Sequence, residues 1–274
     1  MATPGRLERS LDRRSVRSGG VERSYWVRAP PSTPAPVVLA LHGRGATPTW
    51  HAWFTRSDRL ADLIGAAVVF PQGGRVWDRH GFDWDREGDG EYLLAVIDAA
   101  RAEFGTPHAR VSLTGMSAGA RMSCHLASAH AESVAAVAAV GGLRAPSVPP
   151  SQPIRVLGFH GTADRANPYD GGSTDRWRES VPDAARAWAR ANGDPADPVV
   201  VRVRPHAVRA TYGAGRPGEV TLWTLEGAGH TWPGRAGTGL VIRWFLGRTS
   251  YEVDATEEIG RFLRPVPTGE PTVP

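Results

Sequence analysis

Short apolar runs, each closed by a glycine, a proline or a polar turn, constrain this chain more than any other feature of its sequence. They cover residues 37–41, 66–70, 111–114, 134–140 and 154–159. Runs that are apolar on both faces suit strands buried inside a parallel sheet. Segments with helical periodicity separate several of these runs. The sequence therefore predicts an α/β fold with one mostly parallel, doubly wound sheet flanked by helices.

The rest of the chain completes this alternation. An edge strand is predicted over 24–28, and further strands over 199–203, 207–212 and 220–225. Helices are predicted over 91–104, 118–131 and 182–190, and a last one starts at Asp254, where Glu257 completes a capping box. We expect a single domain over 21–264, with no large inserted cap domain. A flexible Arg-rich leader (1–20) would precede it, and a Pro-rich tail (265–274) would follow.

Composition narrows the function classes. The net charge is +4, but the cationic residues, all arginine, are interleaved with acidic ones, which argues against nucleic-acid binding. No apolar run is long enough to span a membrane, and no signal peptide is visible. Cys124 is the only cysteine, so the chain has no intramolecular disulfide, and a cytoplasmic location is weakly favoured, with secretion left open. Cys124 lies seven residues after Ser117 on the same face of a predicted helix and is expected to be a small core residue. A single cysteine and the lack of a His-Glu-x-x-His pattern argue against a metal site. We expect a monomer or a weak homodimer.

Residues 115–119 read Gly-Met-Ser-Ala-Gly, the G-x-S-x-G pattern of a nucleophile elbow. The pattern suits a serine on a sharp strand-to-helix turn, because glycines on either side let neighbouring backbone pass close. The string alone is weak evidence in a chain with 32 glycines. Its context strengthens it, since an apolar strand leads in and a helix-compatible segment leads out. Ser117 is therefore the predicted nucleophile.

A serine hydroxyl needs a base, and the base needs a carboxylate to orient it. In this architecture the acid and then the histidine follow the serine along the chain. His230 lies in a glycine-containing loop directly after a predicted strand and is preferred to His206, which suits a hairpin. Asp164 likewise follows a strand, and it is preferred to Asp170 and Asp175, which lie deeper in a glycine-rich loop.

The oxyanion of the reaction needs two backbone donors. The N–H of Ala118 is one candidate, because it follows the nucleophile. The second is expected from the loop over residues 42–45, with Arg44 favoured and Gly45 left as an alternative.

Several short motifs together resemble the polyhydroxybutyrate depolymerase and feruloyl esterase group of the α/β-hydrolase superfamily. They are Leu-His-Gly at 41–43, the elbow at 115–119, His-Gly-Thr-Ala-Asp at 160–164, Gly-His-Thr-Trp-Pro-Gly at 229–234 and a Pro-x-Gly…Trp segment at 71–77. The similarity runs from about residue 25 to 263. It implies an α/β-hydrolase fold, a Ser117–Asp164–His230 triad, and hydrolysis of carboxylic esters without cofactor or metal.

The chain departs from that group at residues 88–92, where Gly-Asp-Gly-Glu-Tyr replaces Asp-Asp-x-x-Phe, and at 120–121, where Ala-Arg replaces a frequent second glycine. Many members are also secreted and carry disulfides. Ten tryptophans could line an aromatic cleft; those expected on the functional side of the sheet are Trp50, Trp53, Trp77, Trp84 and Trp232. Trp77 and Trp232 are predicted to contact substrate.

The predicted substrate is a small-molecule or oligomeric ester, with a short-chain, hydroxyalkanoate-type or aromatic (feruloyl-like) acyl group. Two alternatives stay open. A serine peptidase or thioesterase can use the same fold, because the triad does not specify the leaving group. A catalytically silent binding protein could also retain the fold, although a complete triad with an intact elbow argues against it.

Overall fold

The computed structural model describes residues 10–76, 82–174, 177–235 and 246–264. Ten strands form one sheet. These are Asp12–Ser18 (β1), Val21–Arg28 (β2), Val37–Leu41 (β3), Ala67–Pro71 (β4), Val111–Met116 (β7), Val134–Val140 (β8), Arg155–Gly161 (β9), Val199–Arg204 (β10), Ala207–Tyr212 (β11) and Val220–Leu225 (β12). Across the sheet they lie in the order β1-β2-β4-β3-β7-β8-β9-β12-β11-β10. A separate two-stranded ribbon pairs Arg75–Val76 (β5) with Phe82–Asp83 (β6).

The helices of the described residues connect these strands. They are Pro48–Thr55 (α1), Leu60–Ile64 (α2), Arg86–Glu103 (α3), Ala118–Ala129 (α4), Val181–Ala191 (α5) and Ala255–Leu263 (α6), with a 3-10 turn at Ser57–Arg59 before α2. Helices α1 and α5 each carry a proline in the first turn, where a missing N–H costs nothing. Asp254 caps α6 as predicted, accepting hydrogen bonds from the N–H groups of Thr256 and Glu257. Glu257, predicted to complete a capping box, binds Arg59 through Oε1.

The centre of the sheet is parallel and its two edges are antiparallel. Strands β4, β3, β7, β8, β9 and β12 pair in parallel, whereas β1 and β2 on one side and β11 and β10 on the other pair antiparallel. The carboxyl ends of the parallel strands therefore meet at one edge of the sheet. That edge is where open α/β sheets hold their functional loops.

Each face of the sheet is covered by its own apolar core. On one face, α3, α4 and α5 contribute side chains such as Ile97, Met122 and Trp188. On the other, α1, α2 and α6 contribute Phe54, Leu60 and Ile259. Burial on both faces explains why the central strands are continuous apolar runs. The predicted doubly wound α/β fold is confirmed.

The N-terminal expectations need correction. Part of the predicted flexible leader is a strand, because Asp12–Ser18 pairs along its whole length with β2. The strand predicted over 24–28 consequently lies inside the sheet and not at its edge. Backbone hydrogen bonds and polar contacts hold β1, among them Arg14 Nη2 to Glu103 Oε1 at 3.1 Å. Its sequence, Asp-Arg-Arg-Ser-Val-Arg-Ser, contains a single apolar residue, Val16, which is too weak a signal to predict a strand. Residues 1–9 and the predicted tail at 265–274 lie outside the described residues.

Two further features bear on the sequence predictions. Cys124 is buried in the core, as predicted. Within the described ranges, no helix combines the length and the apolar character needed to cross a membrane.

Candidate active site

Ser117 occupies the sharp turn between β7 and α4. Its backbone has φ 57° and ψ −114°, and Arg56 is the other non-glycine residue with positive φ among the described residues. Such a conformation costs on the order of 1–3 kcal/mol and persists only where surrounding contacts impose it. The Ser117 N–H donates to Val140 O at 2.9 Å, which anchors the turn to the neighbouring strand β8. The side chain remains partly exposed.

The flanking glycines are required by close packing of backbone. A Cβ at Gly115 would lie 2.6 Å from the carbonyl carbon of Gly119, and a Cβ at Gly119 would collide with Leu41 O at the end of β3. Real Cβ atoms do not approach backbone so closely. The elbow predicted from the sequence pattern is therefore present, with the strand, turn and helix in the required order.

Asp164 and His230 meet across the ends of β9 and β12. His230 Nδ1 lies 2.7 Å from Asp164 Oδ2, and both side chains are buried. The His230 backbone is held by its N–H to Leu246 O at 2.6 Å. A carboxylate oxygen can only accept, so Nδ1 carries the proton and Nε2 is the ring atom available as a base.

The surroundings of Asp164 keep its carboxylate charged. Burial by itself would raise the pKa, but hydrogen bonds from His160 and His230 outweigh burial and hold the Asp164 pKa well below its usual range. Oδ1 also accepts the N–H groups of Ala166 at 2.9 Å and Asn167 at 2.8 Å. His160 Nε2 lies 3.3 Å from Oδ2. The acid is thus ionised although its side chain is fully enclosed.

Two glycines at the end of β8 bring the two halves of the site together. A Cβ at Gly141 would lie 3.2 Å from His230 Cε1, whereas a Cβ at Gly142 would collide with Ser117 O. The imidazole and the nucleophile elbow therefore both contact this one dipeptide. Ser117, Asp164 and His230, chosen from the sequence, lie at neighbouring strand ends.

The loop after β3 lies against the elbow. A Cβ at Gly43 would be 3.6 Å from Ser117 Cβ, so the predicted oxyanion loop passes beside the nucleophile. The Arg44 side chain binds Asp83, with Nε 2.7 Å from Oδ2. Ala118 begins α4, where N–H groups of the first turn have no carbonyl partner within the helix. These positions are compatible with the predicted donors Ala118 and Arg44.

His42 holds the same loop in place through hydrogen bonds and ring packing. Its Nδ1 donates to Gly43 O at 2.9 Å, its Nε2 accepts the N–H of Gly73 at 3.0 Å, and its ring packs against Trp84 at 4.7 Å between centroids. The Trp84 indole N–H in turn donates to His42 O at 2.7 Å. Burial lowers the His42 pKa to about 4. His42 is therefore a neutral structural support at neutral pH.

The tryptophan predictions fare unevenly. Trp232 is fully buried and donates through its indole N–H to Thr256 Oγ1 at 3.0 Å. It belongs to the core between α1 and α6, so the prediction that it contacts substrate is corrected. Trp84 is buried beside His42, and Trp50 and Trp53 are half-buried against the core. Trp77 lies outside the described residues.

Two of the alternatives that the sequence offered, His206 and Asp170, are exposed, unlike the buried Asp164–His230 pair. His206 is exposed in the turn between β10 and β11, with Nδ1 3.9 Å from Glu226. Asp170 is exposed, and Asp175 lies outside the described residues. Within the described part of the chain, no group of three His, Cys, Asp or Glu side chains could hold a metal ion.

Sequence reasoning missed two residues that contact Asp164. His160 was noted only as part of a motif, yet its Nε2 lies between Asp164 Oδ2 and Asn167 O, 2.8 Å from the latter. Its position in the His-Gly-Thr-Ala-Asp motif was an available signal. Asn167 had no motif to mark it, because its importance comes from folded contacts alone.

Comparison with known proteins supports the fold and the enzyme class. Residues 24–148 match the family Esterase PHB depolymerase, a span that includes Ser117 and ends before Asp164 and His230. The esterase candidate NocK of Nocardia uniformis subsp. tsuyamanensis is 29% identical over 254 residues, covering 81% of this chain and 74% of NocK. A bifunctional acetylxylan esterase/xylanase of Neocallimastix patriciarum is 28% identical over 223 residues, covering 78% of this chain but only 32% of that protein.

Solved structures show the same architecture. The acetyl xylan esterase from Aspergillus awamori superposes with a TM-score of 0.59 and 16% identity, covering 86% of this chain and 99% of that one. TT1662 from Thermus thermophilus gives a TM-score of 0.53 at 18% identity, covering 81% and 91%. The predicted enzyme class, a hydrolase of ester bonds, is confirmed by the family match and the sequence relatives, and the solved structures confirm the fold. The chain has the α/β-hydrolase fold and resembles the esterases of the polyhydroxybutyrate depolymerase type, as its motifs indicate.

Proposed function

We propose that the chain hydrolyses carboxylic esters through a Ser117–His230–Asp164 triad and a covalent acyl-enzyme. The observation that carries the proposal is the buried Asp164–His230 pair beside the elbow that presents Ser117. Each residue was selected from sequence order and strand context, and each lies at the carboxyl edge of the parallel sheet. That arrangement is the one in which α/β-hydrolases perform nucleophilic catalysis.

The geometry suggests a sequence of steps. Nε2 of His230 takes the Ser117 proton, and the alkoxide attacks the ester carbonyl. The tetrahedral oxyanion is held by the N–H groups of Ala118 and of Arg44 or Gly45. The imidazolium then protonates the leaving alcohol. Water enters, His230 accepts its proton, and the acyl-enzyme is hydrolysed. Asp164 holds the imidazole in one tautomer and stabilises its charged form.

The acyl group is proposed as short-chain, hydroxyalkanoate-type or aromatic (feruloyl-like). The family matched by residues 24–148 supports the hydroxyalkanoate class. The names of the relatives from Neocallimastix patriciarum and Aspergillus awamori support the addition of acetyl esters of polysaccharides to the short-chain class. We infer a small-molecule or oligomeric ester substrate and no requirement for a cofactor or nucleic-acid partner.

The first test is covalent labelling with a fluorophosphonate, applied to the wild type, Ser117→Ala and Ser112→Ala. Ser112 is a matched control because it lies on the same strand β7 and is also only partly exposed. We expect labelling of the wild type and Ser112→Ala, and none of Ser117→Ala. Turnover of p-nitrophenyl acetate should fall by more than about 10³-fold in Ser117→Ala alone. Equal labelling of Ser117→Ala would refute the nucleophile.

The second test separates the esterase from the remaining alternatives. A p-nitrophenyl series from acetate to long acyl chains, with feruloyl and 3-hydroxybutyrate esters, measures acyl preference through kcat/KM. Matched amide and thioester compounds measure the leaving group. We expect ester turnover to exceed amide turnover by orders of magnitude. Preferred turnover of the amide or thioester would favour a peptidase or a thioesterase, and an unlabelled, inactive wild type would favour a binding protein.

A further inference from the structure

One side chain connects the loop of the acid to the half of the site that carries the nucleophile. Asn167 lies three residues after Asp164 and is only 3% exposed. Its Nδ2 donates to Gly141 O, and its Oδ1 accepts a hydrogen bond from Arg121 Nη1 at 3.4 Å. Gly141 follows β8 directly. Arg121 lies in the first turn of α4, where its backbone N–H donates to Ser117 O at 3.1 Å.

The backbone of the same residue faces the acid. The Asn167 N–H donates to Asp164 Oδ1 at 2.8 Å, and its carbonyl lies 2.8 Å from His160 Nε2. Two backbone groups therefore hold Asp164 and its neighbour, while the two side-chain groups hold the end of β8 and helix α4. Any residue at this position could supply the backbone contacts, except that proline lacks the N–H. Only an amide side chain of this length supplies both contacts to the nucleophile's half.

The hydrogen bond from Asn167 to Gly141 lies where a small displacement of the backbone would change the distance between His230 and Ser117. Gly141 N donates to Phe159 O at 2.9 Å and the preceding Val140 O accepts the Ser117 N–H. The same glycine lies against the His230 ring, since a Cβ there would be 3.2 Å from His230 Cε1. A bond to Gly141 O thus acts on the segment that separates the base from the nucleophile. Proton transfer requires heavy atoms within about 2.6–3.2 Å, and a misplacement of about 1 Å can reduce the rate about 10²-fold.

We propose that Asn167 is a positioning residue that sets the distance between the Asp164–His230 pair and Ser117. The inference rests on the proposed triad and deepens it. Asn167 acts through Gly141 and Arg121 and touches no reacting atom. Its contribution is to hold the loop after β9 and the segment after β8 in one arrangement before substrate arrives.

The test compares Asn167→Ala with Asn192→Ala. Asn192 is a control of the same residue type whose side-chain amide also joins separate segments. It makes three hydrogen bonds to backbone, to the N–H and O of Ile154 and to Gly218 O, but at the amino ends of β9 and β12. Both variants lose hydrogen bonds and should unfold at lower temperature. Measured well below that temperature, Asn167→Ala should lower kcat for p-nitrophenyl acetate about 10- to 100-fold with KM within about twofold. Asn192→Ala should retain both.

Two further measurements separate positioning from packing. The second-order rate of fluorophosphonate labelling reports nucleophile activation without substrate binding, and it should fall in Asn167→Ala in proportion to kcat. Asn167→Asp keeps the volume and an oxygen for Arg121, but an ionised carboxylate cannot donate to Gly141 O. It should be impaired as strongly as Asn167→Ala.

The outcomes are distinct. Wild-type kcat and labelling rate in Asn167→Ala, or in Asn167→Asp at pH 8, would overturn the positioning role while leaving the triad intact. Equal catalytic losses in Asn167→Ala and Asn192→Ala would also overturn it, because the effect would then be one of stability. Failure of the wild type itself to label would instead refute the proposed function.

Discussion

At the scale of single residues, Asp164 shows how this site keeps a charge in a closed environment. A buried carboxylate is unstable unless donors surround it. Here two backbone N–H groups occupy Oδ1, and the rings of His160 and His230 face Oδ2. These donors hold the pKa of Asp164 below its usual range despite burial. The acid therefore stays ionised at neutral pH.

Replacing Asp164 by asparagine should cripple catalysis without unfolding the chain. The amide is nearly isosteric, but it no longer stabilises the imidazolium and can present an N–H to Nδ1, which favours the wrong tautomer. We expect kcat for p-nitrophenyl acetate to fall about 10³- to 10⁴-fold, with circular dichroism unchanged. Asp170→Asn is the control, since Asp170 is exposed on the same loop. A larger loss in Asp170→Asn than in Asp164→Asn would reassign the acid.

The residues of the site differ in how far sequence could reveal them. Ser117, Asp164 and His230 were accessible because each follows an apolar strand run and their order along the chain suits the fold. Trp232 was misassigned because its nearness to His230 along the chain says nothing about direction, and packing against Thr256 turns it into the core. Asn167 was inaccessible, since its partners Gly141 and Arg121 are brought to it only by folding.

At the scale of elements, the central strands and the edge strands β10 and β11 could be predicted, whereas β1 and α1 could not. Strands buried on both faces must be apolar throughout, so their sequences mark them. Strand β1 has no such requirement, because its backbone pairs with β2 whatever its side chains are. Helix α1 was missed although Thr47 and Pro48 form a recognisable start, with Thr47 accepting from Trp50 N and proline in the first turn. Its run of aromatic residues obscured the helical period.

The cap of α6 allows a prediction about one element. Asp254 accepts from two N–H groups that the helix cannot satisfy itself, Thr256 N at 2.9 Å and Glu257 N at 3.1 Å. Asp254→Ala should cost about 1 kcal/mol of unfolding free energy and lower the Tm by about 2 °C. Differential scanning fluorimetry measures the shift. The control is Asp62→Ala, an exposed aspartate in α2 that lies 3.8 Å from Arg28; its Tm should stay within about 1 °C. An equal shift in both variants would show that the cap contributes no special stability.

At the scale of the whole molecule, the stability of the fold depends on the groups buried in the two cores on opposite faces of the sheet. The core that contains α1 and α6 also encloses His51, which is fully buried. Neither ring nitrogen of His51 has a hydrogen-bond partner among the described residues, and its ring meets the edge of Trp232 at 6.0 Å. Burial lowers the His51 pKa to about 3, helped by the nearby His42, whose own pKa is about 4. At neutral pH both buried histidines are thus neutral, His42 in the loop beside the nucleophile and His51 in the core.

These histidines should make the fold sensitive to acid well above the range where carboxylates titrate. Their pKa values are lower in the folded than in the unfolded chain, so protonation of these histidines favours unfolding. The unfolding free energy is therefore highest above about pH 6.5 and decreases as the pH falls. At pH 5 each should reduce the unfolding free energy by about 2 kcal/mol. Urea titrations at pH 7.5 and pH 5 measure the loss. His51→Leu has no side chain that can be protonated there, so its unfolding free energy should decrease by about 2 kcal/mol less than that of the wild type between these pH values. His108 is exposed, so His108→Gln should behave like the wild type. The same loss in His51→Leu as in the wild type would show that the acid sensitivity arises elsewhere.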